Sequence, residues 1–102
     1  MDETVSAEGF DWDKHNAGKI WKKHHVHFAE AEEVFYDENI KVLPDEDHSE
    51  QEQRYRALGK TRLGRYLFVV FTRRKNLIRV VSARDMHRKE RRTYHEEIKE
   101  AS

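Results

Sequence analysis

Tyr66-Leu67-Phe68-Val69-Val70-Phe71 is the densest apolar block of the chain, and Leu77-Ile78-Arg79-Val80-Val81-Ser82 follows it after five residues. Both runs are rich in β-branched and aromatic side chains, which fit a pleated, half-buried surface. Arg73-Arg74-Lys75-Asn76 between them is polar enough to turn. The pair reads as the central hairpin of a small sheet. Everything else must pair with its edges or cover its apolar face.

At 102 residues the chain makes one domain with a modest core. The absence of cysteine excludes disulfides and thiolate metal sites. Residues 1–10 carry no signal-peptide pattern, and no apolar run approaches the roughly 18 residues of a membrane span. The expectation is a soluble, cytoplasmic protein without membrane contact.

A formal net charge of zero conceals a strong segregation. Residues 1–53 carry 5 Lys/Arg against 15 Asp/Glu, a balance of −10, whereas residues 54–95 carry 14 against 2, a balance of +12. The last seven residues hold one lysine and three glutamates. Such a split creates a strong local field on a neutral protein. The basic half suits an anionic ligand and the acidic half a basic partner; equally, the halves can neutralise each other within the fold or in a dimer.

Taken in order, residues 1–9 read as a flexible acidic tail and residues 10–102 as one domain. Phe10 and Trp12 alternate with Asp11 and Asp13, enough for a short edge strand. Asp13 can cap a helix over Lys14–His24. Ala17, Ile20, Trp21 and His24 share a face of it, with Trp21 as the expected core anchor. A second helix fits Ala29–Tyr36, with Ala31, Val34 and Phe35 inward and Glu30, Glu32 and Glu33 outside, where they favour the helix dipole. Asn39–Leu43 suits a strand ended by Pro44, and Asp45–Glu52 is an acidic loop containing His48. Arg54–Lys60 alternates so that one face is basic. Asp85 or Ser82 then opens a last helix over Met86–Glu100, with His87, Arg91, Tyr94 and Ile98 in one stripe. The fold class is α+β: a largely antiparallel sheet covered by two N-terminal helices and a C-terminal helix.

The strongest compositional signal is basic residues interleaved with aromatics: Arg54, Tyr55, Arg56, Lys60, Arg62, Arg65, Tyr66, Arg73, Arg74, Arg79 and Arg84. The final helix adds Arg88, Lys89, Arg91 and Arg92. Paired guanidinium donors match phosphate oxygens, so several arginines on one sheet face would hold a nucleic-acid backbone. The plain alternative is a solvated edge with salt bridges to the acidic half. Arg79 and Arg84 are an odd number of residues apart and fall on opposite faces of an unbroken strand; a bulge or a strand end would bring them together. Arg79, amid Leu77, Ile78, Val80 and Val81, calls for a partner or an anionic ligand.

His24-His25-Val26-His27 has the composition of a metal tract, yet the spacing alone does not converge three imidazoles, and there is no HExxH. No metal or other cofactor is expected. One histidine can serve as a general acid or base. Phosphate-binding glycine loops and GxSxG are absent, but RNA cleavage needs neither. The substrate's 2′-hydroxyl attacks the adjacent phosphate, and the protein positions the backbone, moves a proton and stabilises the phosphorane.

The chain resembles the BrnT toxins, the ribonuclease component of BrnT/BrnA type II toxin–antitoxin systems. The resemblance rests on Phe10-Asp11-Trp12-Asp13 with Asn16, Lys23-His24 before Val26-His27-Phe28, and Ala31, Val34 and Phe35. It continues through Asp47-His48-Ser49-Glu50, Arg54, Leu58-Gly59, Thr72-Arg73-Arg74 and Ile78-Arg79-Val80-Val81-Ser82-Ala83-Arg84, then Lys89-Glu90-Arg91 and Tyr94. The family implies a RelE-like fold and metal-independent cleavage of RNA. It also implies a ribbon-helix-helix antitoxin of the BrnA type, with operator DNA bound through the complex. Carried onto this chain, Lys23, Arg74, Arg79 and Arg84 are the basic site candidates, with His48 or Lys23 as the base. Arg79 and Arg84 would clamp phosphate, and Arg54, Arg56, Arg88 and Arg92 would position RNA. The chain departs from the family pattern at His25, where glycine is usual, and at Gln53, where glutamate is common. A non-catalytic module that binds the antitoxin is the competing reading.

Overall fold

The computed structural model describes residues 7–48 and 52–101, excepting the side chains of His48 and of residues 97–101. Strand β1 (Gly9–Phe10) is followed by helices α1 (Lys14–His24) and α2 (Phe28–Val34), then β2 (Lys41–Pro44) and a 3-10 turn over Glu46–His48. Strands β3 (Arg54–Lys60), β4 (Tyr66–Arg74) and β5 (Leu77–Asp85) precede helix α3 (Arg88–Ala101). The five strands lie in the order β1-β5-β4-β3-β2. Three pairings are antiparallel, but β1 runs parallel to β5, pairing only with Leu77 and Ile78. The class is α+β as expected, and the sheet is mixed. Of the expected tail, residues 1–6 lie outside the described residues; Glu8 donates its N–H to the Asn76 carbonyl and Gly9 opens β1.

The hairpin turn is tighter than the polar run suggested. β4 continues through Arg74, so Lys75-Asn76 alone makes the turn, with Lys75 at φ 57°. Leu67, Val69 and Phe71 of β4 and Ile78, Val80 and Ala83 of β5 form the core with Ile20, Ala31, Val34 and Phe35. The opposite face carries a smaller cluster in which Leu58, Met86 and Tyr94 pack with Tyr66 and Phe68. Helices α1 and α2 thus cover one face, and α3 covers one end of the other. At Gly59 α2 lies close against the sheet: a Cβ there would sit 2.6 Å from Val34 Cγ1.

Helix α1 starts where Asp13 was expected to cap it, with the carboxylate accepting from the His15 and Asn16 N–H groups. Its buried face is not the expected one. Asn16 and Ile20 point inward, and Trp21 is 54% exposed. The side chain of Asn16 explains the rotation. Its Nδ2 donates to the carbonyls of Asp11 and Val80, at 3.1 and 3.2 Å, while its Oδ1 accepts the Asp13 N–H. A polar residue with all these bonds satisfied fixes the helix phase, and Trp21 follows Ile20 by about 100° around the axis.

The glutamates of α2 also depart from a purely outward reading. Glu32 accepts from Trp12 Nε1, Glu33 from the Arg62 N–H, and Glu30 pairs with Arg65. Of the stripe expected on the last helix, His87 lies just before α3 and is exposed, Arg91 is exposed and Tyr94 is buried, so it is not the packed face; the side chain of Ile98 lies outside the described set. Asp85 ends β5 bound to Arg65 instead of capping α3, and Ser82 lies within β5.

Candidate nucleic-acid interface

The geometry turns on one residue of β5. Phe71 pairs with Val80 and Val70 with Ser82, leaving Val81 as an extra residue, a bulge. Beyond it the alternation is inverted, so Ile78, Val80 and Ala83 all face the α1–α2 layer. Arg79 and Arg84 therefore share the other face, opposite Thr72 and Phe68. Cross-strand pairing puts Arg54 opposite Thr72 and Arg56 opposite Val70, and alternation along β4 adds Arg74. Five of the expected arginines thus come to one sheet face. Between β3 and β5 this face is a shallow groove lined by Arg54, Arg56, Phe68, Val70, Val81 and Ser82, with Asp45 and Asp47 at its rim.

Among the described residues, carboxylates of the chain itself hold Arg79, Arg84 and Arg74. Arg79 reaches Asp13 Oδ2 at 3.0 Å and Asp11 Oδ2 at 3.5 Å, its side chain only 13% exposed. Arg84 makes a fork on Glu90, at 2.8 and 2.9 Å, and lies over the Phe68 ring with Cζ 4.1 Å from the centroid. Arg74 contacts Glu52 at 3.3 Å. Arg56 is exposed, and its guanidinium donates to the Pro44 carbonyl at the limit of hydrogen bonding, 3.5 Å. Arg88 and Arg92 are exposed on α3.

Lys23 is not brought to this face. It is exposed in the last turn of α1, about 15 Å along the helix from Asp13. His48 ends the 3-10 turn beside the groove rim, and its side chain lies outside the described set. Among the described residues no three His, Asp or Glu side chains gather as a metal set, and no helix is long and apolar enough to cross a membrane.

The carboxylate partners were not read from the sequence as site residues. Asp11 and Asp13 meet Arg79 from more than sixty positions away, which no local pattern signals. Glu90 carried a local signal: it stands three residues after His87 and accepts the His87 N–H at the start of α3.

Burial of Glu90 works against its charge, yet the Arg84 fork and the His87 N–H hold its pKa below the ordinary 4.5. At Asp13 the Asn16 N–H is the largest cause of a lowered pKa, with Arg79 assisting. Arg65 lowers Asp85 in the same way. A lowered folded-state pKa stabilises the fold above the unfolded value and loses that contribution as pH falls through the folded one. The urea midpoint should therefore drop between about pH 5 and pH 3, and Glu90→Gln should flatten part of that drop. Equal pH slopes for the two proteins would refute a role for Glu90 in acid sensitivity.

Residues 12–90 match the family model described as the ribonuclease toxin BrnT of type II toxin–antitoxin systems. The chain belongs to the BrnT family. The match spans Lys23, His48, Arg54, Arg56, Arg74, Arg79, Arg84 and Arg88, and stops short of Arg92. The fold is similar to the crystal structure of the Brucella abortus ribonuclease toxin BrnT, with a TM-score of 0.60 and 22% identity. That similarity covers 78% of this chain and 97% of the Brucella chain. No curated protein matches the chain. As a BrnT family member the chain is a toxin of a type II system, with ribonuclease activity, an RNA substrate and an antitoxin partner assigned at the level of the family. His25, which closes α1, adopts the left-handed conformation that glycine favours, φ 52°, ψ 38°.

Proposed function

We propose that this chain is a cytoplasmic, metal-independent endoribonuclease with a RelE-like fold, acting through a single domain over residues 10–102 and neutralised by a BrnA-like ribbon-helix-helix antitoxin. The observation that carries the reading is the Val81 bulge, which sets Arg79 and Arg84 on the same face as Arg54, Arg56 and Arg74. In the proposed reaction an RNA 2′-oxygen attacks the adjacent phosphorus and the 5′-oxygen of the next nucleotide leaves, giving a 2′,3′-cyclic phosphate and a 5′-hydroxyl. Arg79 and Arg84 stabilise the charge gathering on the phosphorane oxygens.

Asp13 and Glu90 hold these two guanidinium groups in place before substrate arrives, and a phosphate matches the same paired donors. Arg74, Arg54 and Arg56 then track the backbone along the sheet, and Arg88 and Arg92 extend the track onto α3. His48 or Lys23 takes the 2′-hydroxyl proton, Lys23 from the α1 side of β5, and the leaving 5′-oxygen takes a proton from that group or from water to give the 5′-hydroxyl. Operator DNA is bound through the antitoxin complex.

The test is cleavage of a single-stranded RNA in EDTA by protein freed of antitoxin, with and without ribosomes. Cyclic-phosphate ends are expected, and a substrate with 2′-deoxy nucleotides throughout should stay intact. Uncut RNA in every reaction, from protein that still folds and binds its antitoxin, would reject the nuclease reading. That result would favour the second reading, a non-catalytic module that binds the antitoxin and contributes to operator repression. Arg74, Arg79 and Arg84 each already hold a carboxylate, and this is the observation on its side.

A further inference from the structure

The charge split of the sequence has an exception within its acidic half. Residues 14–29 contain four lysines, four histidines and no Asp or Glu. They form α1 and its turn into α2, where Trp21 is 54% exposed and Phe28 41%. Each of these rings is braced by a histidine: Trp21 by His25 at a centroid distance of 5.3 Å, and Phe28 by His27 at 4.5 Å. Trp12 backs Phe28 from behind at 5.8 Å, and its Nε1 is fixed on Glu32. Both exposed rings are therefore buttressed side chains, Trp21 among the lysines of α1 and Phe28 at the start of α2.

The residue that braces Trp21 is in an unfavourable backbone state. His25 is left-handed at φ 52°, a conformation that glycine adopts at no steric cost. Retaining an imidazole there places a second ring against Trp21 where glycine would leave it unsupported.

We propose that Trp21, with His25 and Lys22, forms a subsite for single-stranded RNA, in which an unpaired base stacks on the indole and its phosphate lies against the lysine. Phe28 offers a second stacking surface across the α1–α2 turn. Exposed aromatics interleaved with cations are how single strands are held without sequence readout. A protein partner fits less well, since lysine is depleted from the cores of protein interfaces.

The subsite is tied to the arginine face. Arg65 donates to the carbonyls of His24 and His25, at 3.3 and 3.0 Å, and to Asp85 Oδ1 at 2.7 Å. It thus joins the end of α1 to the residue after Arg84. β1 covers β5 at Leu77 and Ile78, and among the described residues no strand pairs with the outer edge of β5 at the Arg84 end. A single strand leaving Arg84 passes round this edge to Trp21.

This inference rests on the proposed nuclease reading and has its own test. A 2′-O-methyl RNA oligonucleotide, which offers no attacking hydroxyl, is titrated against wild type, Trp21→Ala and Trp21→Phe by fluorescence anisotropy, as a single strand and as a duplex. Trp21→Ala should bind the single strand roughly 5–100-fold more weakly, the range for loss of one stacked base. Trp21→Phe should restore most of the affinity, and the duplex should be bound equally by all three. Equal single-strand affinity in Trp21→Ala and wild type overturns the subsite while leaving the nuclease reading in place. Should that variant instead keep RNA affinity and lose antitoxin binding, the surface belongs to the protein partner and the subsite is again overturned. Wild type that binds neither RNA form overturns both readings.

Discussion

Arg79→Ala should lower the rate of RNA cleavage by about two to three orders of magnitude, the cost of removing a prepositioned donor from a developing oxyanion. The side chain is almost enclosed, and it is aimed by Asp13, itself fixed by the first turn of α1. Arg79→Lys separates charge from geometry: lysine keeps the cation near Asp11 and Asp13 but loses the fork. Its stability should therefore approach that of wild type while its rate stays close to that of the alanine variant. Single-turnover rates and urea midpoints on the same preparations measure both effects. Cleavage by Arg79→Ala within a few-fold of wild type would remove Arg79 from the reaction.

The largest expected loss of stability from a small change is at Gly59. Its added Cβ would meet Val34 Cγ1 at 2.6 Å and the Val34 carbonyl oxygen at 3.1 Å. The first atom can move with a side-chain rotation, whereas the second belongs to the backbone at the end of α2. Val34 is fully buried among Ile20, Ala31 and Phe71, so a rotation has little room. Gly59→Ala should cost about 1–3 kcal/mol by overpacking. Gly18→Ala is the matching control, because nothing lies within 4 Å of a Cβ there and helix propensity favours alanine. Urea midpoints that fall for Gly59→Ala and rise for Gly18→Ala are the expected pair; equal midpoints would mean that α2 yields freely.

The parts of the fold legible in the sequence were those set by short-range chemistry. Asp13 announces α1 because its carboxylate caps the adjacent N–H groups, and the alternation of Arg54–Lys60 gives β3 its full extent. Trp21 was misplaced because size and apolarity argued for burial, whereas helix phase is fixed by bonds from Asn16 to a strand sixty-four residues away. The parallel pairing of β1 was hidden by its length, since two residues carry no period. At the candidate site the cationic residues were visible as composition. Their partners Asp13 and Glu52 were not, because an ion pair between distant segments leaves no mark on the local pattern of either; Glu90, six residues from Arg84, was marked only by its place in the first turn of α3.

The extra residue at Val81 makes the parity of the chain a part of its chemistry. Between Arg79 and Arg84, what matters is the number of residues as well as their identity. Straightening the bulge with every residue kept would bring back simple alternation and exchange inside for outside over the end of the strand, carrying Arg84 toward the apolar layer and Ala83 away from it. A five-residue interval between two arginines would ordinarily be dismissed as incompatible with a shared surface. In this strand the bulge is the condition for their meeting.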